Sequence, residues 1–208
     1  METREILAEH SYKELLSLCD WFLLYGPIPI VIGGWAVFIY NSYMGSADID
    51  LVGPSMEGLF DNALEAFERS QGYEEMKMDL LGMERSFRKS ISKNGRIVGF
   101  MEIDACTYES DIFGFHEDRE IKLPYALCSN PDLRSLVKLD DSREAFIPKK
   151  PLLFLYKLKA LRDRRYDLQT KEAVLGSERR NWLQGKLVKD GSDLIALLDP
   201  HPRKYIYF

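Results

Sequence analysis

The chain has 208 residues, of which 46% are hydrophobic and 12% aromatic, and its formal net charge is −5. This composition excludes a disordered chain and suffices for a sizeable core in one domain or in one domain with an appendage. Prolines and a glycine pair interrupt the longest uncharged run, which excludes a membrane span. We expect a cytoplasmic protein, because Glu2, Glu5 and Glu9 argue against a signal peptide and the three cysteines lack any Cys-x-x-Cys spacing.

The first quarter of the chain alternates between helical and extended patterns. Apolar residues recur at helical spacing and stop at a Gly-Pro pair, and a short apolar run then ends in Gly33-Gly34. The predicted elements are a helix from Glu5 to Tyr25, a strand from Ile30 to Ile32, a helix from Trp35 to Tyr43 and a strand from Asp48 to Leu51. Trp35 is expected in the core, with stacking on a ligand as the alternative.

The sequence pattern in the middle of the chain predicts another helix and a β-hairpin. Ser55 is a candidate N-cap for an apolar stripe that runs to Phe67, and Gly72 ends this helix. The hairpin is predicted from Arg85 to Ser92 and from Arg96 to Cys106, because Asn94-Gly95 is the strongest short hairpin signal. Beyond it we expect a strand at Tyr125 to Cys128, and either a strand or a short helix at Leu133 to Leu139.

The last part of the chain is helical and basic. Pro151 opens a predicted helix from Leu152 to Arg165, so we place a boundary at Pro148, between a core of residues 1–148 and a helical subdomain of residues 149–208. The segment from Lys149 to Lys189 contains twelve Lys or Arg residues and four Asp or Glu residues. This excess suits a solvated helix face or, beside a phosphate site, an anionic ligand.

Gly33-Gly34 and the strand from Asp48 to Leu51 together have the features of a ligand-binding site. Paired glycines after a strand let a backbone approach a ligand, and a helix that starts there directs free N–H groups at an anion. On a strand Asp48 and Asp50 project to one face while Ile49 points to the other. Two neighbouring carboxylates beside a phosphate-binding turn suit Mg²⁺, because this ion commonly takes one or two carboxylates together with substrate phosphates.

The Ile32-Gly33-Gly34 segment, followed by Asp48-Ile49-Asp50-Leu51, resembles the signature of the DNA polymerase beta-like nucleotidyltransferase superfamily. The resemblance implies an α+β fold, with a mixed sheet flanked by helices, and a third carboxylate on a later strand. Asp104 meets that requirement in the segment Met101 to Cys106. Histidines contribute nothing to the pattern, since His10, His116 and His201 are isolated and are expected at the surface or at caps.

The C-terminal helices are similar to the AbiEii-like toxin branch of that superfamily. The similarity lies in Lys157-Leu158-Lys159-Ala160, in Arg162, and in Lys189-Asp190 followed by Asp193-Leu194. Two features depart from the branch: Met44 stands where an Arg is usual, and about twenty extra residues precede Lys189. A toxin of this branch implies an antitoxin-like partner.

The resemblance implies metal-dependent transfer of a nucleoside monophosphate. Asp48, Asp50 and Asp104 would hold Mg²⁺, or Mn²⁺ in its place, and act in catalysis. The expected contacts to ATP or another nucleoside triphosphate are Gly33, Gly34, Ser46, Lys157, Lys159 and Arg162. Lys157 and Lys159 do not share a helix face, so at most one is expected to point inward. Replacing Lys157 with Met is expected to leave stability nearly unchanged.

The sequence does not determine which molecule accepts the nucleotide, or whether the protein has kept nucleotidyltransferase activity. The same three carboxylates would serve transfer to tRNA or another RNA, to a protein hydroxyl or to a small molecule. One alternative is a non-catalytic nucleotide-binding or regulatory relative of the same fold. Another is a protein that binds RNA through its basic helix alone.

Overall fold

The computed structural model describes residues 2–54, 58–76, 85–108, 114–171 and 175–203. In these ranges the chain forms a seven-stranded mixed sheet and five α-helices, which confirms the predicted mixed sheet flanked by helices. The helices are α1 (Glu2–Tyr25), α2 (Gly33–Tyr40), α3 (Leu59–Gln71), α4 (Lys150–Thr170) and α5 (Ser177–Leu198). The strands are β1 (Ile30–Val31), β2 (Asp48–Gly53), β3 (Glu74–Met76), β4 (Arg85–Lys93), β5 (Arg96–Thr107), β6 (Arg134–Lys138) and β7 (Glu144–Pro148).

Strand β2 lies at the centre of the sheet, whose order is β3-β4-β5-β2-β1-β7-β6. It pairs antiparallel with β1 and parallel with β5, so the strand with two acidic residues lies directly beside the second arm of the hairpin. The hairpin itself is confirmed, because β4 and β5 pair antiparallel and Asn94 and Gly95 take the left-handed φ values of 53° and 76° that a tight turn requires.

Several predicted boundaries shift by a few residues. Helix α2 begins at Gly33 itself and ends at Tyr40, before the extended Asn41. The predicted cap Ser55 lies outside the described residues, and α3 follows Gly58, whose φ is 82°. Tyr125 begins a 3-10 helix (Tyr125–Ser129), so the strand predicted there is wrong.

The two faces of the sheet are covered by different parts of the chain. Ile49, Leu51 and Ile103 are fully buried on one face, within a core to which α1, α2 and α3 contribute. On the other face, Val52 and Cys106 pack with Leu152 and Tyr156 of α4. The alternation of Asp48, Ile49, Asp50 and Leu51 therefore separates a buried apolar face from the face that carries the carboxylates.

Helices α4 and α5 pack against each other and against α2. Strand β7 ends at Pro148 and α4 begins at Lys150, so the junction lies where the sequence changes to a basic helical pattern. Division of the chain into separate domains at this point stays a prediction. The extra residues before Lys189 extend α4 to Thr170 and form the first half of α5.

Within the described part of the chain, none of the helices is both long enough and apolar enough to cross a membrane.

Glu68 of α3 is an acidic residue in the interior, with an exposed fraction of 1%. Among the described residues, neither of its carboxylate oxygens has a hydrogen-bond partner. Burial, and to a smaller degree the charges of Glu65 and Glu75, raises the pKa of Glu68 to about 9, while Arg85 opposes the shift. At neutral pH the folded protein therefore holds a proton at this carboxyl that the unfolded chain releases.

We expect the replacement Glu68→Gln to stabilise the protein at pH 7 by on the order of 3 kcal/mol. A raised acid pKa makes the stability of the native chain fall as pH rises from about 4.5 to about 9, and the variant removes this slope. Urea unfolding at several pH values would measure the gain, which should shrink toward pH 4.5. Glu65→Gln on the same helix is the control, because Glu65 is paired with Arg85 and should give no gain. Equal stability of the Glu68 variant and the wild type at pH 7 would contradict this account.

Candidate active site

Three carboxylates meet at the junction of β2 and β5. The parallel register places Asp50 beside Asp104 and Asp48 beside Glu102. All four side chains line one cavity of about 210 Å³, which α4 and α5 close from the other side. The structure thus brings Asp48, Asp50 and Asp104 together, and their catalytic and metal-binding roles stay predictions.

The turn at Gly33-Gly34 lies beside these carboxylates in the wall of the cavity. Gly33 has a φ of 63°, and a Cβ atom there would overlap the carboxylate of Asp50. A Cβ atom on Gly34 would lie 2.6 Å from Ser46 Oγ and 2.7 Å from Lys189 Nζ. Glycine is required at position 33 because of its positive φ and the Asp50 carboxylate, whereas a side chain at position 34 would have to displace Ser46 and the end of Lys189.

The turn also leads directly into α2. The N-cap residue Ile32 provides no side-chain hydrogen bond to the first turn of this helix. The first N–H groups of a helix lack acceptors within the helix, so they are suited to an anion at this position. Gly33, Gly34 and Ser46, the three predicted phosphate contacts, all line the cavity.

Asp48 and Asp104 differ in their surroundings. Asp48 forms an ion pair with Lys186. Burial favours a higher pKa for Asp48, but the charges of Lys186, Lys189 and Lys157 outweigh it, so this pKa lies below its ordinary value. For Asp104, burial and then the charge of Asp50 raise the pKa to about 7.

Asp104 is also short of partners. One of its oxygens is buried and has no hydrogen-bond partner among the described residues. Across the described ranges, no three His, Cys, Asp or Glu side chains are grouped closely enough to hold a metal ion as they stand. The site therefore contains the oxygen donors for a cation but holds Asp48 against an ammonium group instead.

A network of buried charges joins α4 to α5 behind the cavity. Lys157 Nζ lies 2.7 Å from Asp193 Oδ2 and 3.5 Å from Asp190 Oδ1, and Arg164 also pairs with Asp190. Asp193 accepts a hydrogen bond of 2.5 Å from the hydroxyl of Tyr43. Burial and the nearby ammonium groups of Lys157 and Lys186 lower the pKa of Lys189 to about 8, against the opposing charge of Asp193.

The three cations predicted on α4 have different surroundings. Lys157 and Lys159 both line the cavity, and the expectation that at most one of them points inward stays a prediction. Lys159 reaches the edge of the cavity, where it pairs with Asp163 at 2.5 Å. Arg162 is not among the lining residues and pairs with Glu117 at 2.7 Å, with about half of each side chain exposed.

His116 belongs to the same edge of the cavity, although its isolation in the sequence predicts a surface or capping residue. Its Nδ1 lies 3.1 Å from Asp167 Oδ1, and its backbone N–H donates to Asp163. The loop that delivers His116 has no periodic pattern, so the sequence holds no signal for this placement.

The cavity residues that the sequence did not single out as site residues include Arg164, Trp182, Lys186 and Lys189. On α5, residues 182, 186, 189, 190 and 193 follow helical spacing and therefore share one face. On α4, Arg164 lies seven residues after Lys157, which also places the two on one face. Helical spacing alone would have selected Arg164 in preference to Arg162.

Comparison with models of known protein families finds no match, and comparison with curated proteins finds none either.

Proposed function

We propose that this protein is a nucleotidyltransferase with the fold of the DNA polymerase beta-like superfamily. It would move a nucleoside monophosphate from a nucleoside triphosphate to a hydroxyl acceptor. The observation that supports this most directly is the pairing of Asp50 with Asp104 on parallel strands, with the Gly33 turn pressed against the Asp50 carboxylate. A turn that is suited to phosphate and an acidic cluster that is suited to a cation therefore lie side by side in the cavity, as nucleotidyl transfer would require.

The donor groups of this site suit a divalent cation, although the carboxylates would have to move closer together to hold one. Asp48, Asp50 and Asp104 offer oxygen donors, which Mg²⁺ and Mn²⁺ prefer, and the buried oxygen of Asp104 lacks a partner among the described residues. Mutual repulsion of these carboxylates would also fall with a cation between them. When bound, the cation would neutralise charge on the triphosphate and on the departing pyrophosphate.

The residues of the turn and of α5 would hold the phosphates. Backbone N–H groups at Gly33-Gly34, the Ser46 hydroxyl and the Lys189 ammonium lie together, and all three groups donate hydrogen bonds to anions. Lys157 and Arg164 also line the cavity, where each pairs with a carboxylate of α5. Asp104 would accept the proton of the attacking hydroxyl, since a carboxylate that lies beside the point of transfer can act as a general base.

Transfer of a labelled nucleoside monophosphate tests the proposal. Each of the four nucleoside triphosphates, labelled on the α-phosphate, would be incubated with the protein, Mg²⁺ or Mn²⁺ and a cell extract. We expect one class of acceptor in the extract (RNA, protein or small molecule) to become labelled. Absence of label in all acceptors, with intact triphosphates, would count against an enzyme.

A non-catalytic nucleotide-binding relative is the second candidate. It is favoured by the ion pair of Asp48 with Lys186, which occupies one of the three carboxylates. Such a protein would bind nucleoside triphosphates without turning them over. Calorimetric binding combined with the labelling experiment separates the two functions.

Lys186→Met is expected to tighten the binding of Mn²⁺ in the absence of nucleotide by roughly tenfold, or about 1.4 kcal/mol. The reason is that Asp48 must give up its ion pair with Lys186 before it can serve a metal. Electron paramagnetic resonance of free Mn²⁺ measures this affinity without any catalysis. Lys189→Met is the matched control, because this substitution also removes one positive charge from the cavity, but Lys189 pairs with Asp193 and not with Asp48. If both variants change the affinity equally, only the overall charge matters and the ion pair does not compete.

A further inference from the structure

Trp182 is the aromatic residue of α5 that the proposed chemistry leaves unused. Its half-buried indole lines the cavity together with Asp48 and Lys186. The other candidate for stacking, Trp35, is 1% exposed and donates its ring N–H to Ser11, so it cannot receive a ligand. Tyr125 and Tyr156 also line the cavity, but their rings pack against each other, with 5.0 Å between centroids, in the apolar cluster beneath α4. Trp182 is the lining aromatic residue whose ring packs against cations instead.

The indole is close to the carboxylates. Lys186 Nζ lies 5.5 Å from the centroid of the Trp182 ring and also pairs with Asp48. Trp182 is thus separated from Asp48 by a single ammonium group. Gly33 and Trp182 line the same cavity, so the ring borders the space that a nucleotide with its phosphates at the Gly33 turn would enter.

Arg179 indicates what kind of group the ring accepts. Its guanidinium carbon lies 4.1 Å from the centroid of the Trp182 ring. A guanidinium and a nucleobase are both planar, and both stack on an indole face. Arg179 occupies the position at which a base would stack, and its side chain is only partly buried, so it can move aside.

We propose that Trp182 is the stacking platform for the nucleobase of the bound nucleoside triphosphate. This inference rests on the proposed function, since it needs the phosphates at Gly33, Gly34 and Lys189. Stacking on an aromatic face tolerates every base, so Trp182 contributes affinity for a nucleotide over inorganic phosphates. The α5 segment that carries it lies within the extra residues that precede Lys189.

The experiment compares ATP with inorganic tripolyphosphate by isothermal titration calorimetry on the full chain, with Mg²⁺ and without acceptor. We expect Trp182→Ala to weaken ATP binding by roughly 5- to 150-fold and to leave tripolyphosphate binding unchanged. Trp182→Phe keeps an aromatic face and should retain most of the ATP affinity. Thermal unfolding of both variants checks that each is folded. If the Ala variant is not folded, the test uses the Phe variant.

Three results would overturn the inference. Equal loss of ATP and tripolyphosphate affinity in Trp182→Ala would show a general effect on the cavity. Unchanged ATP affinity, with a short single-stranded RNA bound less tightly, would assign the ring to an acceptor base. If the wild-type protein binds neither ATP nor tripolyphosphate, the proposed function fails with it, whereas in the first two cases the proposed function stands.

Discussion

Asp50→Asn is expected to lower the rate of nucleotide transfer by at least about 10³-fold, which corresponds to about 4 kcal/mol of transition-state stabilisation. Asp50 lies beside Asp104 in the register of β2 and β5 and against the Gly33 turn, so it stands between the acidic cluster and the proposed phosphate site. An amide in its place offers one neutral oxygen where a carboxylate offers two charged ones. The measurement is label transfer from a nucleoside triphosphate labelled on the α-phosphate.

The stability of this variant should change far less than its activity. The charge of Asp50 is the second cause, after burial, of the raised pKa of Asp104. Asp50→Asn removes that repulsion, but it also removes a charge that favours the partly buried cations Arg164, Lys186 and Lys189, so the variant should unfold close to the temperature of the wild type. Asp132→Asn, at an exposed position, controls for the substitution itself and should keep full activity. Loss of activity together with a large loss of stability would mean that Asp50 acts through the fold rather than through the chemistry.

The acidic cluster could be predicted because each part of it has a local signal. Alternation fixes the common face of Asp48 and Asp50, and Asn94-Gly95 fixes the hairpin whose second arm delivers Asp104. Placing that arm beside β2 is a long-range pairing, for which the prediction depended on the resemblance to a known family. Local pattern and family topology agree here, and the structure has the expected neighbours.

The cationic half of the site was predicted less well, for a physical reason. A charge on a helix is either solvated or buried, and the choice depends on the partner that packs against it. Lys157 is 8% exposed because α5 presents Asp190 and Asp193 to it, whereas Arg162 faces solvent and Glu117. The packing of α4 against α5 therefore decides which cations enter the cavity, and no single helix carries that information.

Burial also changes the expectation for Lys157 itself. Its ammonium pairs with Asp193 and Asp190, whose side chains are 2% and 4% exposed. Removing the cation leaves these carboxylates with one fewer partner in a place that water hardly reaches. We therefore expect Lys157→Met to destabilise the protein by about 3 kcal/mol at pH 7, which replaces the earlier expectation of nearly unchanged stability.

The pH dependence of this loss identifies its cause. Burial favours a higher pKa for Asp193, but Lys157 and Lys189 outweigh it and hold the pKa below its ordinary value of 3.8. The stabilisation from this depressed pKa is present above pH 3.8 and is lost as pH falls through the pKa of the folded state. The difference in stability between variant and wild type, measured by urea unfolding, should therefore be fully present at neutral pH and should shrink as pH falls below 3.8, toward the folded-state pKa of Asp193.

A double variant separates the unpaired charge from lost packing. Lys157→Met combined with Asp193→Asn removes both charges, and the Asn side chain can still accept the hydrogen bond from Tyr43. We expect this pair to recover most of the lost stability, because a neutral group costs far less to bury than an unpaired carboxylate. The rate of transfer should stay lower by about 10²- to 10³-fold in both variants, since neither supplies a cation to the triphosphate. A double variant as unstable as Lys157→Met alone would show that the packing of the lysine stem, and not its charge, holds α4 against α5.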